Sequence, residues 1–108
     1  MQNQAILVLI TVPDETTAQE IAGALISQRL AACVNVVSSI RSLYHWKGEI
    51  HDDQEVLLVV KTMADLFEDR LIPAVRLIHP YELPEIIALP ILMGLQSYLE
   101  WINTETNP

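Results

Sequence analysis

The chain has 108 residues, 51% of them hydrophobic, with 6 Lys and Arg set against 14 Asp and Glu for a formal charge of −8. That length suits one domain, residues 1–108, around a single core, and the acidic balance disfavours nucleic acid, whose phosphates need a basic surface. No apolar run approaches the roughly 20 residues of a membrane-spanning helix, Met1-Gln2-Asn3-Gln4 carries no basic export segment, and the one cysteine, Cys33, cannot form an internal disulfide, so a cytoplasmic protein is expected.

Ala5 to Val12 is a nearly unbroken, branched apolar run, the pattern of a strand buried on both faces. Pro13-Asp14 ends it. Asp14, Thr16 or Thr17 can cap a helix in which Ala18, Ile21, Ala22, Leu25 and Ile26 share a face, reaching to about Leu30. Cys33 to Trp46 and Glu49 to Lys61 flank Lys47-Gly48 and predict a long β-hairpin. Strands of this length span roughly 43 Å, so the hairpin should project beyond its own domain. A two-residue turn would pair His45 with Ile50 and His51 with Tyr44, placing the imidazoles on opposite faces; a three-residue loop would set them opposite each other. Tyr44 and Trp46 share a face in either case.

Thr62 can cap a second helix carrying Ala64, Phe67, Leu71, Ala74, Val75 and Ile78, which Pro73 should kink or divide. The run His79-Pro80-Tyr81-Glu82-Leu83-Pro84-Glu85 is a stiff, extended link, because each proline fixes its own φ and restricts the residue before it. Ile86 to Leu92 reads as a strand whose Pro90 suggests an edge or a bulge. Leu95, Tyr98, Leu99 and Ile102 make a final helix, and Asn103 to Pro108 a polar tail.

The order βαββαβ plus a terminal helix fits the ferredoxin-like class of α+β folds, with helices on one face of an antiparallel sheet. Two helices cover only one face. Yet Ile6 to Ile10, Val56 to Val60 and Ile86 to Leu89 are apolar on both faces, so self-association through the sheets is expected, in a closed symmetric assembly.

The chain holds no Ser-centred nucleophile elbow, glycine-rich phosphate loop or His-Glu-x-x-His pair, and a non-enzymatic protein is expected. Cys33, after Leu30-Ala31-Ala32, reads as a small buried apolar residue. Glu55 and Lys61 fall on one face of their strand but roughly 20 Å apart, so each needs a partner from another strand or subunit. Lys61 can contact an anion or form a structural ion pair. In the proline segment His79 and Glu85 are candidate ligands for copper or zinc, short of the third donor a site requires, and Glu82 reads as a solvated charge.

Several separate stretches together resemble one family: Thr11-Val12-Pro13-Asp14-Glu15, Leu30-Ala31-Ala32-Cys33-Val34-Asn35, Tyr44-His45-Trp46-Lys47-Gly48, Lys61-Thr62, the segment from His79 to Ile86, and Tyr98-Leu99-Glu100-Trp101. By these the chain resembles the CutA, or divalent-cation tolerance, proteins. The resemblance implies a ferredoxin-like homotrimer shaped like the PII signalling proteins, a link to divalent cations with copper foremost, and no required cofactor. It also implies a cleft between subunits lined by Trp46, Lys61, Tyr81, Glu85 and Trp101, suited to a small anion or metabolite. Members discussed as copper binders carry a Cys in the first strand and a His directly before the His-Pro pair; this chain has Ile10 and Ile78 there and keeps only Glu85. Three alternatives stay open beside a metal-linked binding and signalling trimer: a structural or partner-anchoring trimer, a PII-like sensor of a small anion or metabolite, and a hydrolase or transferase using Lys61 and Glu85.

Overall fold

The computed structural model describes residues 3–107. Met1 and Gln2 of the N-terminal run and Pro108 of the expected tail lie outside the described residues. The first apolar run forms β1 (Ala5–Val12), in which Ile6, Val8, Ile10 and Val12 enter the main core while Leu7 and Leu9 sit half-buried on the opposite face. Helix α1 (Glu15–Ser27) follows, its Asp14 carboxylate accepting the Thr17 N–H at 2.8 Å as an N-cap. Ala18, Ile21 and Leu25 form its buried stripe. The helix stops short of Leu30 because Arg29 turns left-handed at φ 56°, letting the Leu30 N–H return to the Leu25 carbonyl at 2.9 Å.

Strands β2 (Cys33–Trp46) and β3 (Glu49–Met63) form the long hairpin, and the longest dimension of the molecule is 44 Å. Lys47 and Gly48 both take positive φ, 51° and 81°, as a two-residue type I′ turn demands. The register is therefore Tyr44 with His51, His45 with Ile50 and Trp46 with Glu49. A bulge between Val37 and Ile40, with Ser39 at φ 61°, interrupts the ladder. Nothing in the Ser38-Ser39 pair had announced it.

The second half of the chain departs from expectation at Thr62, at residues 103–106 and at the end of the last strand. Thr62 does not cap a helix: it is buried in β3, where its hydroxyl donates to the Leu30 carbonyl at 2.7 Å. Of the two outcomes expected at Pro73, the helix is divided and not kinked: Pro73 lies in the opening turn of a separate piece, α2 (Ile72–Arg76). A 3-10 turn (Ala64–Leu66) and a π turn (Phe67–Leu71) precede it, with the Ile72 N–H reaching back to Phe67. That change of helical register places the missing proline donor where no intrahelical partner is required. Residues 103–106 are not a tail: helix α3 (Gln96–Glu105) continues to Glu105, and its C-cap Thr106 is buried with its hydroxyl bonded to the Ile102 carbonyl at 2.9 Å.

Strand β4 (Ile86–Pro90) stops at Pro90, earlier than Leu92, and pairs with β1 at the sheet edge, so the order is β2-β3-β1-β4, antiparallel throughout. This is the ferredoxin-like arrangement. The core lies between the sheet and the helices: Val8, Ile10, Ile21, Leu25, Leu58, Val60 and Leu71 are fully buried, each worth about 1.5–3 kcal/mol of apolar transfer. On the other face Leu7, Leu9, Leu57 and Val59 are half-buried, and Val37 (42%), Ile87 (50%) and Leu89 (45%) are open.

Candidate ligand-binding cleft

Beyond the bulge, the hairpin carries the open face of the sheet past the domain and toward the proline segment. Between them lies a cleft of about 800 Å³, bounded by Arg41 to Trp46 of β2, Thr11 and Glu55 on the sheet, and Pro80 to Leu83 with Glu85. Cross-strand parity sets its floor, since Ser42 faces Asp53 and Ile40 faces Glu55 on the side where Tyr44 and Trp46 also stand.

The proline segment is held to the sheet by two side chains. His79 is buried, and its Nε2–H donates to the Thr11 carbonyl at 2.8 Å while Nδ1 accepts the Tyr81 N–H at 3.2 Å. The Tyr81 hydroxyl in turn donates to Glu55 at 2.8 Å. Glu55 is only 6% exposed, and among the described residues this phenol is its one hydrogen-bond partner and no cation pairs with it. Burial first, then the bond to Glu55, pushes the Tyr81 phenol well up. The neighbouring Tyr44 donates to Asp53 and stacks on His51 with centroids 5.3 Å apart. The Asp53 bond is the main reason its phenol is pushed up to about 12. Arg41 is already occupied by Asp52 through two bonds of 2.8 and 2.6 Å. Glu82 is exposed, yet it meets the Lys47 ammonium at 3.5 Å.

Of the residues singled out from the sequence, Trp46, Tyr81 and Glu85 meet in this cleft, and Lys61 and Trp101 do not line it. Lys61 donates to Asn35, and Trp101 packs on Tyr98 with centroids 5.4 Å apart. Cys33 is half-exposed opposite Lys61, not the buried residue expected. His45 and His51, on opposite faces, share no site. Glu55, expected to need a partner from another strand or subunit, finds one in Tyr81 of the proline segment, whereas Asp53 and Thr11 were missed.

The fit to a copper site can be tested directly. Ile10 is fully buried in the core and Ile78 packs against it, so neither position offers a donor. Both nitrogens of His79 are engaged, and among the described residues no three His, Cys, Asp or Glu side chains converge to hold a metal.

The chain is a ferredoxin-like domain with a projecting hairpin and an aromatic, carboxylate-bearing cleft at its base. The family model described as CutA1 divalent ion tolerance protein matches residues 6–105. The divalent-cation tolerance protein CutA of Thermus thermophilus is 51% identical over 100 residues, covering 93% of this chain and 96% of that protein. Mouse protein CutA is 47% identical over 97 residues, and there the chain spans about half (54%) of the relative's length. The CutA1 crystal structure from Oryza sativa superposes with a TM-score of 0.91 at 44% identity, covering 96% of this chain and 94% of that one. The chain belongs to the CutA divalent-cation tolerance family. No helix among the described residues is long and apolar enough to cross a membrane.

Proposed function

We propose that this protein acts in divalent-cation tolerance as a binding and signalling module, by ligand occupancy rather than turnover, in the form of a homotrimer in the cytoplasm. One observation carries the reading: the half-covered apolar face of Leu7, Leu9, Leu57, Val59, Ile87 and Leu89 runs directly into the cleft of Glu55, Tyr81 and Glu85. Covering that face with further copies would bring foreign side chains to the cleft. Lys61 and Trp101, which lie outside a copy's own cleft, are then free to line a neighbour's. The cation is proposed to bind between copies, with Glu85 supplying oxygen and a neighbour supplying the remaining donors. His79 could join only by giving up its bond to Thr11 or Tyr81. The cytoplasmic setting rests on the single cysteine; a rice relative is named chloroplastic and an Archaeoglobus fulgidus structure periplasmic.

Titration of metal-free protein with copper and zinc by calorimetry, paired with mass measurement by light scattering, tests this. A trimer that binds at micromolar metal, with binding weakened in Glu85→Ala, supports it. A monomer, or no heat up to millimolar metal, sinks it.

A further inference from the structure

The open face of the sheet is apolar along its middle and charged at its two ends, with opposite signs. On β3 that face carries Glu55, Leu57, Val59 and Lys61 at alternate positions, and Leu9 and Leu7 of β1 stand beside Val59 and Lys61. Glu55 and Lys61 lie six positions apart on one strand, roughly 20 Å, so a chain cannot join its own pair.

Each end lacks what the other holds. Glu55 is 6% exposed, and its Oε2 accepts the neutral Tyr81 hydroxyl. Its second oxygen opens onto the cleft, because among the described residues no buried side-chain oxygen is left without a partner. A carboxylate in this position is costly unless a cation balances it, and covering the face with further copies would remove the water that still reaches it. The chain has six Lys and Arg side chains. Arg29, Arg41 and Lys47 already meet carboxylates of their own chain, while Arg70 and Arg76 belong to the helical layer on the far side of the sheet. Lys61 is the one that stands on the open face, half-buried and bonded to the neutral Asn35 side chain.

We propose that in the assembled protein Lys61 of one copy enters the cleft of the next and pairs with its Glu55. Copies packed with like ends together would set Lys61 on Lys61 and Glu55 on Glu55, which like-charge repulsion opposes. Joining unlike ends gives every copy one ammonium to insert and one carboxylate to receive it, so a closed ring leaves neither unpaired. Glu85, exposed beside Glu55 in the same cleft, remains for the ligand. The inference rests on the reading of the apolar face as the contact between copies, and it names the pair that sets the direction of that contact.

Sedimentation equilibrium of the parent, Lys61→Gln, Glu55→Gln and the double variant forms a cycle that tests it. The parent should assemble. Each single variant should raise the concentration of half-assembly about thirtyfold, the lower end for removing one partner of a buried interfacial charge pair. The double variant should assemble no worse than either single one, because the pair is lost only once. Lys61→Gln alters a half-buried strand end whose bond is to Asn35, so its mass is readable even where Glu55→Gln disturbs folding. A Lys61→Gln protein that assembles as the parent does, or a double variant weakened by the product of the two single effects, overturns the inference while leaving the apolar contact standing. A monomeric parent overturns both.

Discussion

The Tyr81 hydroxyl donates to Glu55 at 2.8 Å across 26 positions of chain, tying the proline segment to β3 at the root of the hairpin. Replacing Tyr81 with Phe leaves a buried carboxylate without its only donor among the described residues, which costs about 1–3 kcal/mol, nearer the lower figure because the ring is partly exposed. In a separated copy Glu55→Gln, which keeps an acceptor and removes the charge, should cost less. Urea unfolding of the two variants at a dilution that separates the copies checks the order, and a greater loss in Glu55→Gln would mean that Glu55 owes its stability to a cation rather than to Tyr81.

The same phenols set a limit at high pH. Both Tyr81 and Tyr44 have folded values above the usual 10, the latter about 12. Folding therefore favours the neutral phenol. That contribution is fully present below about pH 10 and is lost as pH climbs through the folded values. Unfolding free energy should fall more steeply between about pH 9 and pH 12 in the parent than in a Tyr44→Phe, Tyr81→Phe double variant. Parallel profiles would remove the phenols from the account.

His79 is expected to matter more for stability than for metal. It bridges the Thr11 carbonyl and the Tyr81 N–H from a buried position. His79→Ala orphans both, at about 2 kcal/mol or more. The exposed Glu85 makes no hydrogen bond or ion pair among the described residues, and Glu85→Ala should shift stability by no more than about 0.5 kcal/mol while lowering metal affinity. Thermal melts with and without zinc separate the two roles; equal destabilisation by both variants would contradict this division.

Much of this was legible because local chemistry and tertiary structure agree. The unbroken apolar runs of β1 and β3, the Asp14 cap and the glycine at the hairpin turn each specify their element without help from distant residues. The missed features are those decided at a distance. Thr62 has the composition of a cap, but the Leu30 carbonyl claims its hydroxyl and keeps it in the strand. Residues 103–106 look polar one by one, yet Thr106 satisfies its hydroxyl within α3 and buries the rest. His79 has the composition of a metal ligand, and only the folded chain shows that Thr11 and Tyr81 already occupy its ring. Glu55 reads from the sequence as a carboxylate in need of a partner from another strand or subunit, and only the folded chain shows that it is buried and that Tyr81 is that partner.

The hairpin turn offers a purely conformational test. Gly48 sits at φ 81° with open space where a Cβ would stand, so a substitution there meets no clash and costs only backbone strain. Gly48→Ala should lose about 1 kcal/mol. Lys47→Asn, a residue better suited to positive φ, should recover a few tenths, since the exposed Lys47 and Glu82 pair adds little. Denaturant midpoints of the two variants decide it, and a neutral Gly48→Ala would mean that the turn does not hold the hairpin register.

The open face of the sheet gives the sharpest test of self-association. In one copy Ile87 is 50% exposed, so the carboxylate of Ile87→Glu can reach water and an isolated chain should tolerate it. Covered by a second copy, the same charge would have to be desolvated without a partner, at several kcal/mol per interface. Ile87→Glu should therefore dissociate the assembly while retaining secondary structure. Leu77→Glu, at a position 88% exposed just after α2 and away from that face, should leave the assembly intact. Sedimentation equilibrium reads both masses. An Ile87→Glu protein that keeps the parent mass would show that β4 lies outside the contact and that the apolar face is covered in some other way.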